Sequence, residues 1–162
     1  MTDDSPTSTD TLHVRQASLA DLEALVPLLN AHREFHGKPA DFEGARQFLR
    51  ERFERAESVV FIAWLGSVPA GFAQLYPSFS STAMAPVFIL NDLYVRGTAR
   101  RHGVASALLQ AVEAFAWKAG AVRLSLNVLR TNVRGQALYA ARGWQQDEEF
   151  FAYHRYNQAP PA

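Results

Sequence analysis

The sequence predicts an α+β domain built on a single mixed sheet of about seven strands, with helices on both faces. The first observation is a series of stretches rich in β-branched and aromatic residues, at positions 12–17, 58–65, 68–76, 87–95, 122–129 and, in a final hairpin that begins at Trp144, 150–156. The second is a helical spacing of apolar residues at about 18–34, 42–53, 104–119 and 131–141. The third is the lack of any internal repeat or linker that would divide the sequence.

The first two predicted helices have recognisable features. Ser18 is a candidate N-cap, but Asp21 stands where Glu or Gln would complete a capping box, so the predicted box is imperfect. The apolar face of the second helix consists of Phe42, Ala45, Phe48, Leu49 and Phe53. Residues 77–85 are rich in Ser and are predicted to form a loop between two strands.

Composition indicates an ordinary globular protein. The chain has 162 residues, of which 48% are hydrophobic and 20% charged, and its formal net charge is zero. This length suits one domain, which we place at residues 11–157, with a disordered polar tail at 1–10 and another tail at 158–162. The zero net charge gives no indication of nucleic-acid or membrane binding.

Several classes of function are disfavoured. The sequence has no cysteine, which excludes a disulfide framework, a thiolate metal site and a covalent route through a thiol. The polar N-terminus is not a signal peptide, and no apolar run approaches the roughly 20 residues that span a bilayer. We therefore expect a cytoplasmic protein without a bound metal.

A strand, a basic loop and a helix follow one another between residues 90 and 109. The loop contains Arg100, Arg101 and His102, and Gly103 stands where the helix begins. The first N–H groups of a helix have no internal partner, and the helix dipole favours an anion there. Because Gly103 has no Cβ to keep a phosphate away from the backbone, this stretch predicts a phosphate site.

The spacing Arg100-x-x-Gly103-x-Ala105 resembles the acetyl-CoA signature Q/R-x-x-G-x-G/A of the GCN5-related N-acetyltransferase (GNAT) superfamily. A second stretch, N-x-x-G-x-x-L-Y-x-x-x-G-W from Asn132 to Trp144, resembles the C-terminal family motif N-x-x-A-x-x-L/F-Y-x-x-x-G-F. The chain departs from the family pattern at two positions: Gly97 stands where the family often has Pro, and Gly135 where it often has Ala. Neither change removes a functional group from the cofactor site. The resemblance covers residues 12–156.

This resemblance implies a three-layer α/β/α GNAT fold whose mixed, mostly antiparallel sheet is splayed between strands 87–95 and 122–129. It implies acetyl-CoA as co-substrate, with its pyrophosphate on the N–H groups of residues 101–105 and its pantetheine arm in the splayed gap. The cofactor-binding residues that it implies are Leu93, Tyr94, Val95, Arg100, Arg101, His102, Gly103, Val104, Ala105, Ser106, Asn132 and Tyr139.

The implied reaction is attack of a neutral amine on a thioester, which needs a base for the amine and an acid for the departing thiolate. By resemblance Tyr139 is the acid; a satisfied core hydroxyl is the alternative. Asp92 is the candidate base, because related polyamine acetyltransferases carry acidic residues on this strand. Period-2 alternation predicts that only one of Asn91 and Asp92 faces the cleft, so Asp92 could instead be a hydrogen-bonded buried carboxylate or a surface charge.

The acceptor site is expected to come from the first two helices, the 77–85 loop and the last hairpin. Its candidate residues, each with an alternative as an ordinary surface or satisfied polar group, are His36, Tyr76, Glu148, Glu149 and His154.

The predicted function is transfer of an acetyl group from acetyl-CoA to a primary amine of a small molecule, by direct attack in a ternary complex. Acetylation of a protein lysine or N-terminus is one alternative, and a catalytically silent acyl-CoA-binding regulatory module is another. Nucleic-acid binding through the basic loop is disfavoured because the cluster is short and the net charge is zero. Related small-molecule members are often dimers, so a homodimer is expected.

Overall fold

A computed structural model describes residues 11–157. The two predicted tails, 1–10 and 158–162, lie outside the described residues. The chain falls into two compact units, the first ending at Asn127 and the second beginning at Val128.

The first unit is built on one mixed sheet of five strands in the order β1-β2-β3-β4-β5. The strands are β1 (Leu12–Gln16), β2 (Val59–Leu65), β3 (Val68–Ser80), β4 (Ala85–Val95) and β5 (Leu124–Ser125). The first four pair antiparallel, and β5 pairs with β4 in parallel. The single mixed sheet, mostly antiparallel, is therefore confirmed, whereas the predicted count of about seven strands is wrong.

Helices cover both faces of this sheet. They are α1 (Leu22–Phe35), α2 (Phe42–Glu54) and α3 (Val104–Lys118). On one face, Ile62 and Phe72 are buried in the core that α1 and α2 complete. On the other face, the Phe61 and Phe88 rings contact Phe115 of α3, with centroids 5.8 and 5.6 Å apart. The alternation of side chains along the strands thus gives each face its own helical partner.

The start of the first helical segment is better formed than predicted. Ser18 N donates to Asp21 Oδ2 at 2.9 Å and the capping box is complete, so the expectation of an imperfect box is wrong. Residues Leu19–Asp21 form a 3₁₀ helix. Its tight winding brings the short Asp side chain within reach of the cap.

Residues 77–85 are not the predicted loop. β3 and β4 continue to pair as far as Ser80 and Ala85, so only a four-residue turn at 81–84 joins them. Continuous ladder pairing outweighs the low strand preference of the serines in this segment.

The pairing of β4 with β5 is short. It joins Phe88 with Leu124 and Ile89 with Ser125. Within the described part of the chain, no strand pairs with β4 on this side beyond Ile89. The predicted strand at 122–129 is therefore only two residues long, and the sheet parts next to residues 90–95 of β4.

The second unit contains α4 (Val133–Ala141). The hairpin predicted from Trp144 and the strand predicted at 150–156 are wrong, since the described residues after Ser125 contain no strand. The aromatic pattern of 150–156 suits a strand, but a strand requires a paired neighbour, and no described segment pairs with it. Its large side chains are exposed, Phe151 to 88% and Tyr153 to 90%.

Candidate active site

A β-bulge in β4 places two polar side chains on one side of the sheet. Gln74 pairs with Asp92, but the next residue, Leu75, pairs with Leu90, so Asn91 is an extra residue in β4. A bulge shifts the alternation of side chains by one position. Asn91 and Asp92 consequently line the same cavity, and the prediction that only one of them faces the cleft is wrong.

Asp92 is a buried carboxylate held by neutral amides and an imidazole. Gln74 Nε2 donates to its Oδ2 at 2.8 Å, and Asn91 Nδ2 donates to its Oδ1 at 3.3 Å. His32 Nε2, from α1, lies 3.2 Å from Oδ1. Asp92 itself is 7% exposed.

Two opposing effects set the pKa of Asp92. Burial raises it, but the hydrogen bonds from His32, Gln74 and Asn91 together with the nearby imidazole lower it, and the lowering prevails. The pKa of Asp92 therefore lies below its usual range. At neutral pH the carboxylate is ionised although it is buried, which is an unusual state for an acidic side chain.

The cavity that Asp92 lines has a volume of about 350 Å³ and lies between α1, α2, β3 and β4. Leu29 of α1 and Phe48 of α2 are apolar lining residues, and Tyr76 of β3 also lines the cavity. Burial and the charge of Asp92 raise the pKa of Tyr76 to about 12, so its hydroxyl is neutral and can donate a hydrogen bond. We call this space the α1–α2 cavity.

Of the five acceptor-site residues predicted from the sequence, two lie at or near the α1–α2 cavity and three belong to the second unit. Tyr76 lines the α1–α2 cavity, and the His36 ring contacts the His32 ring with centroids 4.7 Å apart. Burial and the neighbouring His32 lower the pKa of His36, against the opposing effect of Asp92. The remaining candidates, which lie in the second unit and are exposed there, are Glu148, Glu149 and His154.

Sequence reasoning missed His32 and Gln74. Each of them could have been noticed in the sequence. His32 and His36 are four residues apart and therefore share one face of α1. Gln74 is a polar residue inside an apolar strand. On the apolar face of α2, Phe42 and Phe48 are 51% and 40% exposed. Phe48 lines the cavity instead of the closed core.

The basic loop before α3 has an unusual backbone. Gly103 has φ +74° and Arg101 has φ +67°, both in the left-handed region. That region is readily adopted by Gly but is strained for Arg, and such strain often marks a functional loop. The side chains of Arg100, Arg101 and His102 are exposed, and His102 Nδ1 lies 2.9 Å from the carbonyl oxygen of Arg100.

The start of α3 fits a phosphate group. In α2 and α4 the N-cap side chains of Asp41 and Asn132 accept hydrogen bonds from the first turn. At α3 the N-cap is Gly103, and no side chain of the described residues caps this helix. The first turn of α3 carries no acidic residue. Its N–H groups are thus left for an anion. Val104 is buried, and the small residues Ala105 and Ser106 are half-buried behind the loop.

The other predicted cofactor residues of the first unit lie on the last part of β4. Leu93, Tyr94 and Val95 are half-buried and pair with β3, and no strand among residues 11–157 pairs with them on their other side. Their neighbour on β3 is Gly71, where a Cβ would come within 2.5 Å of the Tyr94 carbonyl oxygen. Glycine is therefore required for the close approach of these two strands.

Asn132 and Tyr139 both belong to the second unit. Asn132 Oδ1 accepts a hydrogen bond from Gly135 N at 3.0 Å, so Asn132 caps α4. A Cβ at Gly135 would lie 2.7 Å from Asn132 Nδ2, so a larger residue here would require the Asn132 side chain to shift. Tyr139 is half-buried with its ring 5.9 Å from that of Trp144, and burial raises its pKa.

Two features are absent from residues 11–157. No helix in this range has the length and apolarity that a bilayer crossing needs. In the same range, no group of three or more His, Cys, Asp or Glu side chains is arranged to hold a metal ion.

Comparison with known proteins gives a consistent result. The sequence matches the Acetyltransferase (GNAT) family over residues 25–144. It is 40% identical over 142 residues to the uncharacterized N-acetyltransferase YhfO of Bacillus subtilis (strain 168), which covers 88% of this chain and 95% of that protein. A thialysine N-epsilon-acetyltransferase of Caenorhabditis elegans is 32% identical over 117 residues, 72% of each chain.

A solved structure with a similar fold is also described as an acetyltransferase. A crystal structure of a probable acetyltransferase is similar with a TM-score of 0.86 and 39% sequence identity, covering 91% of this chain and 99% of that one. The chain therefore belongs to the acetyltransferase (GNAT) family and is an acetyl-CoA-dependent N-acetyltransferase.

Proposed function

We propose that the protein transfers an acetyl group from acetyl-CoA to a primary amine of a small molecule, by direct attack in a ternary complex. The main observation in favour of an amine acceptor is that the ionised Asp92 lines the α1–α2 cavity. A buried charge is costly unless a charge of opposite sign compensates it. A protonated amine in the cavity supplies that charge.

The size of the cavity favours a small acceptor. Its volume of about 350 Å³ lies at the lower end of the range of about 300–1,000 Å³ for small-molecule sites. By its name, the thialysine N-epsilon-acetyltransferase relative acts on an amine of an amino-acid side chain. Lysine-like side-chain amines are therefore the first acceptors to test.

Acetyl-CoA, when bound, supplies the activated acetyl thioester. In this proposal the N–H groups of residues 101–105 hold its pyrophosphate, with Arg100 adding positive charge. The unpaired side of Leu93 to Val95 binds the pantetheine arm, and a backbone N–H there donates to the thioester oxygen as negative charge develops. Asn132 donates to the arm through its Nδ2, since its Oδ1 caps α4.

Proton transfer is assigned to two residues. Asp92 holds the ammonium group and begins its deprotonation, because the attacking nitrogen must be neutral. Tyr139 donates its proton to the departing thiolate. Burial raises the pKa of Tyr139, so the hydroxyl keeps its proton at neutral pH until the thiolate forms.

The direct test is a screen of amines with purified protein and acetyl-CoA, in which release of free CoA is measured. We expect turnover with one or more small primary amines and none with acetyl-CoA alone. Turnover only with protein lysines or N-termini would support the protein-acetylating alternative. Tight CoA binding with no accepted amine would support the silent binding module.

The role of Tyr139 is tested by Tyr139→Phe, which keeps the ring and its contact with Trp144. We expect turnover to fall by roughly 10²-fold, the range of general acid catalysis, with little change in melting temperature. A packing role predicts the reverse, a loss of about 1 kcal/mol of stability with intact turnover. Melting and CoA release measured on one preparation distinguish the two roles.

The phosphate loop is tested with a matched pair of glycines. Gly103 and Gly37 both have φ +74°, and a Cβ at either meets no atom within 4 Å. Gly103→Ala and Gly37→Ala therefore introduce similar backbone strain, but only residue 103 lies in the phosphate loop. We expect Gly103→Ala to weaken CoA binding by about 10-fold or more in calorimetry. Equal CoA affinity in the two variants would contradict the loop assignment.

Two further predictions belong to this proposal: the protein is cytoplasmic and forms a homodimer. Sedimentation of the purified protein tests the second of these, and a monomer at all concentrations would contradict it.

A further inference from the structure

The α1–α2 cavity carries a cation as well as the carboxylate of Asp92. Among residues 11–157, the charged side chains that line it are Arg33 of α1, Asp41 and Asp92. Asp41 already has a structural role, because its Oδ1 accepts a hydrogen bond from Gly44 N at 2.8 Å and caps α2. The proposed reaction gives a role to Asp92 but none to Arg33.

Hydrogen bonds fix the position of the Arg33 guanidinium and of the segment beside it. Arg33 Nη1 donates to the Pro39 carbonyl oxygen at 3.1 Å, in the segment that joins α1 to α2. The same segment is tied to α1 by Asn30, which is 2% exposed and whose Oδ1 accepts a hydrogen bond from Asp41 N at 2.8 Å. A cation at this place is therefore held in position before any ligand binds.

Most of the donors of this guanidinium have no partner in the described part of the chain. There, Arg33 forms no ion pair with an Asp or Glu, and its Nε and Nη2 donate to no acceptor. The side chain is half-buried. The cavity wall thus presents an uncompensated positive charge with free N–H groups.

Such a guanidinium favours an acceptor that carries an anion. Arginine stays charged across the working pH range of proteins, and its planar fork matches a carboxylate. A polyamine would bring a second ammonium group toward Arg33, and like charges repel at short range. An acceptor with an ammonium group at Asp92 and a carboxylate at Arg33 meets each charge with one of opposite sign.

We infer that Arg33 determines the specificity of the cavity by binding the carboxylate of the acceptor, and that the acceptor is an amino acid. This inference rests on the proposed amine-acetylating function and deepens it by naming the acceptor class. The transfer step is unchanged, since the acceptor carboxylate makes and breaks no covalent bond. Arg33 selects the acceptor, and Asp92 holds the amine that reacts.

The alternative is that Arg33 only supports the segment between α1 and α2 through its bond to Pro39. That role uses one N–H donor and requires neither the charge nor a place in the cavity wall. It predicts that loss of the side chain affects every acceptor equally. Binding of a carboxylate predicts an effect confined to acceptors that carry one.

The test compares lysine with lysinamide, which keeps both amines but has a neutral carboxamide in place of the carboxylate. We measure kcat/KM for each by CoA release, with wild-type protein and with Arg33→Gln. The wild-type protein should prefer lysine by about 10-fold or more, the effect of a charge-assisted hydrogen bond. Arg33→Gln should remove this preference by lowering kcat/KM for lysine alone. Cadaverine, which lacks the carboxylate altogether, should be as poor an acceptor as lysinamide.

If another amino acid is the better acceptor in the amine screen, that amino acid and its carboxamide replace this pair. The ratio of the two kcat/KM values isolates the carboxylate, because losing the bond to Pro39 affects both acceptors alike. Arg33→Lys keeps the charge but not the fork, so it should retain part of the preference. This variant also keeps the test usable if Arg33→Gln is unstable.

Arg50→Gln is the matched control, because Arg50 is an exposed arginine of α2 that does not line the cavity. It should leave kcat/KM unchanged for lysine and for lysinamide. A selective loss of lysine turnover in Arg33→Gln but not in Arg50→Gln assigns the effect to the cavity and not to the general charge of the surface.

Two results would overturn the inference. Wild-type protein that uses lysinamide or cadaverine as well as lysine would show that the cavity does not select a carboxylate. A preference for lysine that persists in Arg33→Gln would show that Arg33 does not provide it. In both cases the protein still acetylates amines, so the proposed function stands. A wild-type protein that accepts no amine overturns the proposed function and this inference together.

Discussion

Asp21 and Asp92 are both buried carboxylates of the first unit, each 7% exposed, and both have a pKa below the usual range. Their partners differ. Asp21 accepts hydrogen bonds from both terminal nitrogens of Arg15, at 2.8 and 2.6 Å, and one from the backbone of Ser18 at 2.9 Å. A guanidinium is always charged and its fork matches a carboxylate, so the charge of Asp21 is fully compensated.

Within residues 11–157, Asp92 forms no ion pair with a Lys or Arg, although Arg33 lines the same cavity. Gln74 and Asn91 are neutral, and His32 is cationic only when protonated. Asp92 also lines a cavity, whereas Asp21 helps to cap the start of a helix. Burial and the direction of the pKa shift are therefore not enough to separate a structural carboxylate from a functional one. The difference between these two lies in whether the partner carries a permanent charge. We therefore assign a structural role to Asp21 and a chemical role to Asp92.

The largest effect is expected from Asp92→Asn. The amide keeps the size of the side chain but removes the charge that holds an ammonium group, so kcat/KM for the amine should fall by about 10²-fold or more at pH 7. CoA affinity, measured by calorimetry, should be unchanged because the phosphate loop is untouched. A variant with a normal rate at neutral pH would move the role of base to water or to another residue.

Asp21→Asn should show the opposite pattern. It removes the ion-pair partner of Arg15, whose side chain is 43% exposed, and one member of the capping box, which should cost about 1–2 kcal/mol of unfolding free energy. Once the protein is folded, turnover should stay at the wild-type value. Chemical denaturation measures the loss of stability, and the CoA-release assay measures turnover. A loss of turnover in fully folded protein would contradict a purely structural role for Asp21.

The stabilising effect of Asp21 should depend on pH in a defined direction. Its pKa is lowered in the folded protein, so its contribution is complete above the unfolded-state value of about 3.9 and is lost as pH falls through the lower folded value. The melting temperature of wild-type protein should therefore exceed that of Asp21→Asn at pH 7, and the difference should shrink below about pH 4. A difference that persists unchanged at low pH would mean that packing, not charge, is responsible.

The smallest effect is expected from Gln74→Leu. The substitution removes one donor to Asp92, and it also removes Gln74 Oε1, which is buried without a hydrogen-bond partner. The loss of a single hydrogen bond should lower amine turnover by about 3- to 10-fold, with little change in stability. A loss as large as that of Asp92→Asn would show that Gln74, not the carboxylate charge, organises the cavity.

Much of the fold could be predicted from the sequence because strand and helix periodicities are local. The errors have non-local causes. Residues 77–85 look like a loop, yet they extend a ladder whose partner strand lies beyond the turn. Residues 150–156 look like a strand, yet no described segment pairs with them. Strand pairing depends on residues elsewhere in the chain, so the pattern of one segment cannot reveal whether that segment has a partner strand.

In the candidate site, too, local features could be predicted and non-local ones could not. The start of α3 after Gly103 could be predicted, because the strand, the loop and the helix follow one another directly in the sequence. The joint placement of Asn91 and Asp92 could not, since a bulge is defined by the partner strand and defeats simple alternation. His32 lies sixty residues before Asp92 and meets it only through the packing of α1 on the sheet.

The sharpest test of whether Asp92 holds and deprotonates the acceptor is the pH dependence of the Asp92→Asn defect. For the best amine found in the screen, kcat/KM is measured for wild-type protein and the variant between about pH 7 and pH 10, where alkyl amines become neutral. If Asp92 acts by holding and deprotonating an ammonium group, the ratio of the two values is largest at neutral pH and declines toward the amine pKa. A ratio near one at neutral pH, or a large ratio that does not change with pH, would contradict the claim.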